Sequence, residues 1–244
     1  MPFDSLNTDQ FTDLLGAKNN IPTDIVKYIS YCINKKKSNR LLNELILDAD
    51  VTAEGLDQFF GNASRITGLS HAEILNATGF SWRDIDPSRI ESAIAQLRAI
   101  FFLNTQQFAD IILILTQESR SSDIVAIRNG RKFAIEVINS IYDANQRFLS
   151  HELADWAFSR LTSEGKKAQI LRTSEEHSCE KGAYIAVIST QQAASLQTHE
   201  DFLEAARLTW EYISSPTDLH ICMVTGRVTL GYGSDDAIYP SWPS

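Results

Sequence analysis

Residues 121–140, SSDIVAIRNGRKFAIEVINS, carry the clearest local signal for secondary structure in this chain. Two apolar runs flank Asn129-Gly130, and each run carries one carboxylate, Asp123 in the first and Glu136 in the second. Asn-Gly is the strongest short signal for a two-residue hairpin loop, because a type I′ turn needs positive φ at both central positions. The stretch therefore predicts two antiparallel strands joined by a tight turn.

The predicted turn also fixes which residues face each other across the hairpin. Arg128 faces Arg131, and counting outward places Asp123 opposite Glu136, with Cβ atoms about 4.5–5.5 Å apart. Two like charges in that position cost stability unless one pKa is raised or a cation lies between them. A hard divalent cation such as Mg²⁺ is the simplest compensation, because it binds carboxylate oxygens. Alternatively, Asp123 caps the strand start and Glu136 pairs with a neighbouring arginine in a register shifted by one.

The elements around the hairpin predict a sheet with helices. A helix begins at Asp86-Pro87, with Asp as N-cap and Pro in the first turn. Runs rich in Ile and Val predict further strands at 108–117 and 182–190, and amphipathic patterns predict helices within 151–178 and at 199–214. A last hairpin is predicted over 219–233. Helices mixed with hairpin and crossover strands indicate an α/β domain over residues 86–244.

The first 85 residues read as short helices with apolar residues at three and four spacing, which predicts a helical subdomain over 1–85. Within it, residues 71–82, HAEILNATGFSW, resemble the recognition portion of arabinose-regulator-type helix-turn-helix domains. Pro87 cuts the second helix short, so ordinary helix packing is the favoured interpretation. The cluster of Lys35, Lys36, Lys37 and Arg40 is interpreted as a solvated helix end.

Composition limits the partners of the chain. A net charge of −9 over 244 residues argues against a non-specific nucleic-acid coat, although it leaves room for a local basic groove. The apolar runs are shorter than a membrane span and the N-terminus lacks the pattern of a signal peptide, so a cytoplasmic protein without membrane contact is expected. Three cysteines and five histidines show no zinc-ligand spacing.

The order of these features resembles the PD-(D/E)XK nuclease superfamily, most closely the archaeal-type Holliday-junction resolvase-like endonucleases. The matching parts span about 86–190: a helix carrying Glu91, a strand at 108–116, Asp123 at the start of the hairpin, and Glu136 after its turn. The resemblance implies a restriction-endonuclease-like mixed sheet flanked by helices, and Mg²⁺- or Mn²⁺-dependent cleavage of DNA. It also implies Asp123 and Glu136 as catalytic metal ligands, with Glu91 as a third ligand.

Two positions depart from the family pattern. Ser122 replaces a proline, with little effect on geometry, whereas Ile138 replaces the lysine that helps to position the attacking water. Ile can neither donate a hydrogen bond nor carry charge. Lys132 shares the face of Glu136, but four strand residues place it about 13 Å away. The lysine is therefore expected from the following helix, at 166 or 167, and Lys167 is the predicted catalytic residue.

Three functions stay open at the level of sequence. The first is a Mg²⁺-dependent DNA endonuclease. The second is a catalytically inactive protein of nuclease fold that binds nucleic acid or protein. The third is an α/β protein-interaction domain in which the two carboxylates are structural. A homodimer is also possible, with Tyr232, Tyr239 and Trp242 near the C-terminus as its interface.

Overall fold

A computed structural model describes residues 8–114, 121–142, 149–163, 165–190, 198–225 and 236–243. Within these ranges the chain forms nine helices and six strands. The helices are α1 Thr8–Gly16, α2 Thr23–Asn34, α3 Arg40–Leu47, α4 Ala49–Thr67, α5 His71–Ala77, α6 Pro87–Thr105, α7 Ser150–Ser163, α8 Lys166–His177 and α9 His199–Tyr212. The strands are β1 Ala109–Leu113, β2 Ile124–Arg128, β3 Arg131–Tyr142, β4 Lys181–Thr190, β5 Leu219–Thr225 and β6 Ala237–Tyr239.

The six strands form one mixed sheet in the order β1-β2-β3-β4-β5-β6. Strands β1, β2 and β3 are antiparallel neighbours, β3, β4 and β5 run parallel, and β6 returns antiparallel to β5. Parallel neighbours need a crossover, and helices α7 to α9 lie within the two crossover connections. The predicted α/β class, with a mixed sheet flanked by helices, is confirmed.

Alternation along the strands divides the core into two apolar layers. On β3, Phe133, Ile135 and Val137 belong to the layer shared with α1 to α6, whereas Ala134 and Ile138 belong to the layer shared with α7 to α9. Strand β4 is buried on both faces, as expected for a parallel strand covered by helices. The even positions of β3 therefore face α7 and α8, and Glu136 occupies one of them.

The hairpin of β2 and β3 has the predicted turn and register. Asn129 and Gly130 have φ of +50° and +76°, the left-handed conformation that a type I′ turn requires. Arg128 pairs with Arg131, and the pairing continues outward to Ile124 opposite Ile135. The strand pairing ends there, and Asp123 and Glu136 are the next residues outward, close enough for the charge of Asp123 to raise the pKa of Glu136.

The N-terminal helices share their core with the sheet. One cluster of buried apolar side chains runs from Leu15 and Ile29 through Leu97 to Ile135 and Val187. Helix α4 packs against both α6 and β1, and α3 packs against α6. The division at residue 85 stays a prediction, but the two parts have no separate cores.

The segment that resembles a helix-turn-helix domain has another structure. Helix α5 ends at Ala77, and the next helix, α6, begins only at Pro87. Between them, Phe80 packs edge-on against Tyr28 and Trp82 packs edge-on against Tyr31. The connection therefore packs against α2, in agreement with the interpretation of this segment as ordinary helix packing.

The C-terminal region is described only in part. Strand β5 is present where the last hairpin was predicted, residues 226–235 and with them Tyr232 lie outside the described residues, and β6 pairs with β5. Tyr239 packs against Trp210, and Trp242 packs against Phe108 within the same chain. The predicted homodimer is not tested by these contacts. None of the described helices is long and apolar enough to cross a membrane.

Candidate active site

Asp123 lies directly before β2 and forms hydrogen bonds with residues of three neighbouring segments. Its carbonyl oxygen accepts the Ile114 N–H at 2.9 Å. In its side chain, Oδ2 accepts the Val137 N–H at 2.8 Å and Oδ1 accepts the side-chain amide of Gln96 at 2.9 Å. Burial raises the pKa of Asp123 to about 6, although the Val137 N–H and the positive charge of Lys166 act in the opposite direction.

Glu136 is the most deeply buried carboxylate of the hairpin, with 1% of its surface exposed. Its Oε1 accepts a hydrogen bond from the Lys166 ammonium at 2.6 Å, whereas Oε2 has no hydrogen-bond partner among the described residues. Burial, and next the charge of Asp123, raise the pKa of Glu136 well above its ordinary value, and Lys166 offsets this only in part. One buried oxygen of the carboxylate is thus left for a further partner.

Lys166, rather than the predicted Lys167, reaches the carboxylates. It is the first residue of α8 and follows Gly165, whose φ of +71° turns the chain into the helix. Its ammonium contacts Glu136, and 23% of its side chain is exposed. Lys167 points away and lines a depression near β5. The structure therefore places the neighbouring lysine, one position earlier on the same helix, at Glu136, and the predicted catalytic role of Lys167 stays a prediction without a contact to support it.

Helical periodicity explains which of the two lysines contacts Glu136. Residues 166, 170 and 173 follow each other at four and three spacing, and Ile170 and Thr173 are the buried side chains of α8. Thr173 also accepts the Ser122 N–H at 2.7 Å and so ties α8 to the residue next to Asp123. The sequence alone does not make this choice, because Ile170 follows Lys166 by four residues and Leu171 follows Lys167 by four, and only the structure shows that Ile170 is buried and Leu171 exposed.

Ile138 stands where the resemblance implies a lysine, and its surroundings explain the exchange. The side chain is 3% exposed and belongs to the apolar layer formed with Leu153 and Ala157 of α7. An ammonium at this position would lose its hydration among aliphatic groups, at a cost of several kcal/mol. Ile138 therefore fills the apolar core, and the ammonium that contacts Glu136 belongs to Lys166 of α8.

Glu91 is placed with Arg40 instead of with the two hairpin carboxylates. Its carboxylate lies 2.8 Å from the Arg40 guanidinium, and both side chains are almost fully buried. Burial raises the pKa of Glu91, which Arg40 partly offsets. The structure thus gives the predicted third ligand a different neighbour, an ion pair that joins α3 to α6.

Gln96 is the residue of α6 that hydrogen-bonds to Asp123, and the sequence pattern did not single it out. Five residues separate it from Glu91, which is about 140° around a helix, so the two side chains cannot face the same site. Gln96 is 5% exposed and donates to Asp123. A buried glutamine beside an apolar stripe was the available signal.

The oxygen atoms gathered here suit a hard cation. Among the described residues there is no group of three His, Cys, Asp or Glu side chains that could hold a metal ion. Mg²⁺, however, is commonly bound by one or two carboxylates, with water and substrate phosphate completing its shell. Asp123 and Glu136 supply two carboxylates, and the unpartnered buried Oε2 of Glu136 is the atom that fits such an ion best.

Comparisons with known proteins identify no relative. No protein-family model matches the chain, and no curated protein or solved structure matches it either. The resemblance to the PD-(D/E)XK superfamily therefore rests on the motif and the order of elements alone, and membership stays a prediction.

Proposed function

We propose that this protein is a Mg²⁺-dependent nuclease that hydrolyses phosphodiester bonds of DNA at Asp123, Glu136 and Lys166. One observation carries the proposal: a lysine from α8 lies 2.6 Å from Glu136, beside the opposed Asp123, where the local motif itself offers only Ile138. The order α6-β1-β2-β3, then α7 and α8, then β4 supports it, because the resemblance implies the same order.

The chain's own residues divide the work of hydrolysis. Asp123 and Glu136 would hold the cation, which when bound polarises the phosphate and lowers the pKa of a coordinated water. Gln96 and the Val137 N–H fix the orientation of Asp123, and Lys166 fixes Glu136. The ammonium of Lys166 orients the attacking water, whose oxygen forms the new P–O bond. The attacking water gives one proton to solvent, one ester P–O bond breaks, and the leaving oxygen takes one proton from solvent.

A matched pair of lysine variants tests the proposal. Lys166→Met should lower cleavage of supercoiled or branched DNA by roughly 10²–10⁴-fold, the range of a group that assists proton transfer or positions water. Lys167→Met removes the same charge from the next position and should cleave at the rate of the unaltered protein. Equal rates for both variants and the unaltered protein would contradict the assignment.

Calorimetry separates metal binding from cleavage. Mg²⁺ or Mn²⁺ should bind the unaltered protein, and Asp123→Asn or Glu136→Gln should abolish the heat of binding. Glu175→Gln changes an exposed carboxylate on the outer face of α8 and serves as the control. Absence of binding to the unaltered protein would refute the metal site.

A second candidate is a nuclease-fold protein that binds nucleic acid without cleaving it. Two observations favour it: Ile138 replaces the motif lysine, and both oxygens of Asp123 already accept hydrogen bonds. This candidate predicts that DNA binds equally well with Mg²⁺ and with a chelator and stays intact in both.

A further inference from the structure

A small aromatic platform on the N-terminal helices is not used by the candidate active site. Trp82, in the connection between α5 and α6, packs edge-on against Tyr31 of α2, with ring centroids 5.8 Å apart. Both rings are partly exposed. They line a depression of about 340 Å³, and none of the eight residues that line it is acidic. The lining of the depression is therefore free of carboxylates, and it combines the two rings with hydroxyl, amide and ammonium groups.

Exposed cations surround this platform. Lys27 and Arg83 lie over the ring of Trp82, at 5.9 Å and 4.9 Å from its centroid, and Lys35 lies 5.6 Å over the ring of Tyr31. Lys36 and Lys37 follow at the end of α2, and residues 25–43 contain no Asp or Glu. The positive charge is concentrated here although the whole chain carries −9.

The neighbouring carboxylates do not neutralise the platform. Asp24 pairs with Lys27 at 2.9 Å, but both side chains are about half exposed, so the pair contributes little. Asp84 pairs with Arg89 at 3.3 Å instead of with Arg83. Among the described residues, neither Lys35 nor Arg83 forms an ion pair with a carboxylate, so a polyanion that approaches the platform meets both cations.

We propose that this platform binds a single-stranded segment of nucleic acid, with a base against Trp82 and Tyr31 and the flanking phosphates at Lys27, Lys35 and Arg83. Aromatic rings between cations are the usual means of holding single strands, because bases stack on rings while phosphates pair with Lys and Arg. A phosphate draws the cation off the ring, and the base takes its place. An acidic peptide would use the cations and leave the rings without a partner.

The choice of nucleic acid over other polyanions as the ligand of the platform rests on the proposed nuclease function. The residues are separate, so the two can fail separately. Binding is measured on the full chain with a chelator present, which removes any dependence on cleavage. DNA that binds but is not cleaved in Mg²⁺ would refute the nuclease proposal alone. DNA that is cleaved, but whose binding is unaffected by substitutions in the platform, would refute the platform proposal alone.

The test compares three probes by fluorescence anisotropy: an oligothymidylate of about 12 nucleotides, an abasic oligomer of the same length, and a polyglutamate peptide. Oligothymidylate should bind most tightly, since only it offers both bases and phosphates. Equal affinity for the abasic oligomer would refute base stacking, and tighter binding of polyglutamate would assign the platform to an acidic peptide. No binding of oligothymidylate would overturn the proposal.

Variants locate the binding on the platform. Trp82→Ala should weaken oligothymidylate binding roughly 5- to 100-fold, and Trp82→Phe should keep part of the affinity and guard against loss of packing with Tyr31.

Lys35→Glu, at an exposed position, should weaken binding and reduce its salt dependence by about one charge. Arg65→Glu makes the same charge change on α4, outside the depression, and should bind normally. Unchanged affinity in the folded Trp82→Phe, Trp82→Ala and Lys35→Glu proteins would place the binding elsewhere.

Discussion

At the scale of the residue, the candidate site is defined by two carboxylates held in an environment that disfavours their charge. Asp123 keeps a partial opening to solvent, yet protein atoms crowd its carboxylate and raise its pKa to about 6. Glu136 is more deeply buried, and among the described residues Lys166 is its one ionic partner. Such an arrangement costs folding stability, and sites that bind a cation are where this cost is usual.

The raised pKa of Asp123 makes the stability of the protein depend on pH. Between the ordinary value of 3.8 and about 6, the unfolded chain has lost this proton while the folded protein retains it. The free energy of unfolding therefore falls as the pH rises through this window. The full deficit is present above pH 6 and disappears below pH 4.

Asp123→Asn should remove this deficit. The asparagine can accept the Val137 N–H and donate to the oxygen of Gln96 once that amide turns over, so the contacts survive. We expect the variant to match the unaltered protein near pH 4 and to be more stable by about 1–2 kcal/mol at pH 7, in urea unfolding without metal. Asp86→Asn is the control, because the Ser88 N–H lowers the pKa of Asp86 and gives a trend of opposite sign. A pH-independent difference would contradict the assignment.

At the scale of the element, α8 is the part that completes the site. It brings Lys166 to Glu136, and it is fixed to the start of β2 by the hydrogen bond from the Ser122 N–H to Thr173. It also lies close to the sheet, because a Cβ on Gly182 of β4 would come within 2.7 Å of the Ile170 side chain. The position of the lysine therefore depends on how α8 docks.

Thr173→Val should loosen that docking while it keeps the volume of the side chain. The buried Ser122 N–H would lose its acceptor, which costs about 1–3 kcal/mol of unfolding free energy. Thr173→Ser keeps the hydroxyl and should lose less. Chemical denaturation measures both variants, and a valine variant as stable as the serine variant would show that the hydrogen bond does not hold the helix.

The sequence predicted the elements better than their contacts. The Asn129-Gly130 turn, the register of β2 with β3 and the helix start at Asp86-Pro87 were all correct, because each depends on neighbours a few residues away. The structure places Lys166 rather than Lys167 at Glu136, and it places Glu91 beside Arg40. Both differences from the expected contacts concern which side of a helix faces the sheet.

At the scale of the whole molecule, one core joins the N-terminal helices to the sheet. The buried ion pair of Arg40 and Glu91 crosses the boundary that the sequence placed at residue 85. Around it, α3 and α4 pack on α6, and the same apolar cluster continues to β4. The helical part is thus expected to fold and unfold together with the sheet.

Glu91→Gln tests this cooperativity. The change replaces the charged partner of Arg40 by a neutral acceptor, leaves the longer contact to Glu44 at 3.8 Å, and should lower the free energy of unfolding by about 1–3 kcal/mol. Hydrogen exchange should show loss of protection in α2 and β4 together. Glu54→Gln breaks the exposed pair with Lys18 and should leave the free energy of unfolding almost unchanged. Loss of protection confined to α2 would instead support two separate domains.

The hairpin, its register and hence the proximity of Asp123 to Glu136 could be predicted from the sequence, because turn geometry and strand alternation are local. The other contacts of the site depend on how distant elements pack. Only the docking of α8 selects Lys166, only the rotation of α6 gives Gln96 to Asp123 and Glu91 to Arg40, and only the packing of α7 explains Ile138. Such choices depend on which helix face buries most apolar surface against distant strands, and this is a property of the assembled core.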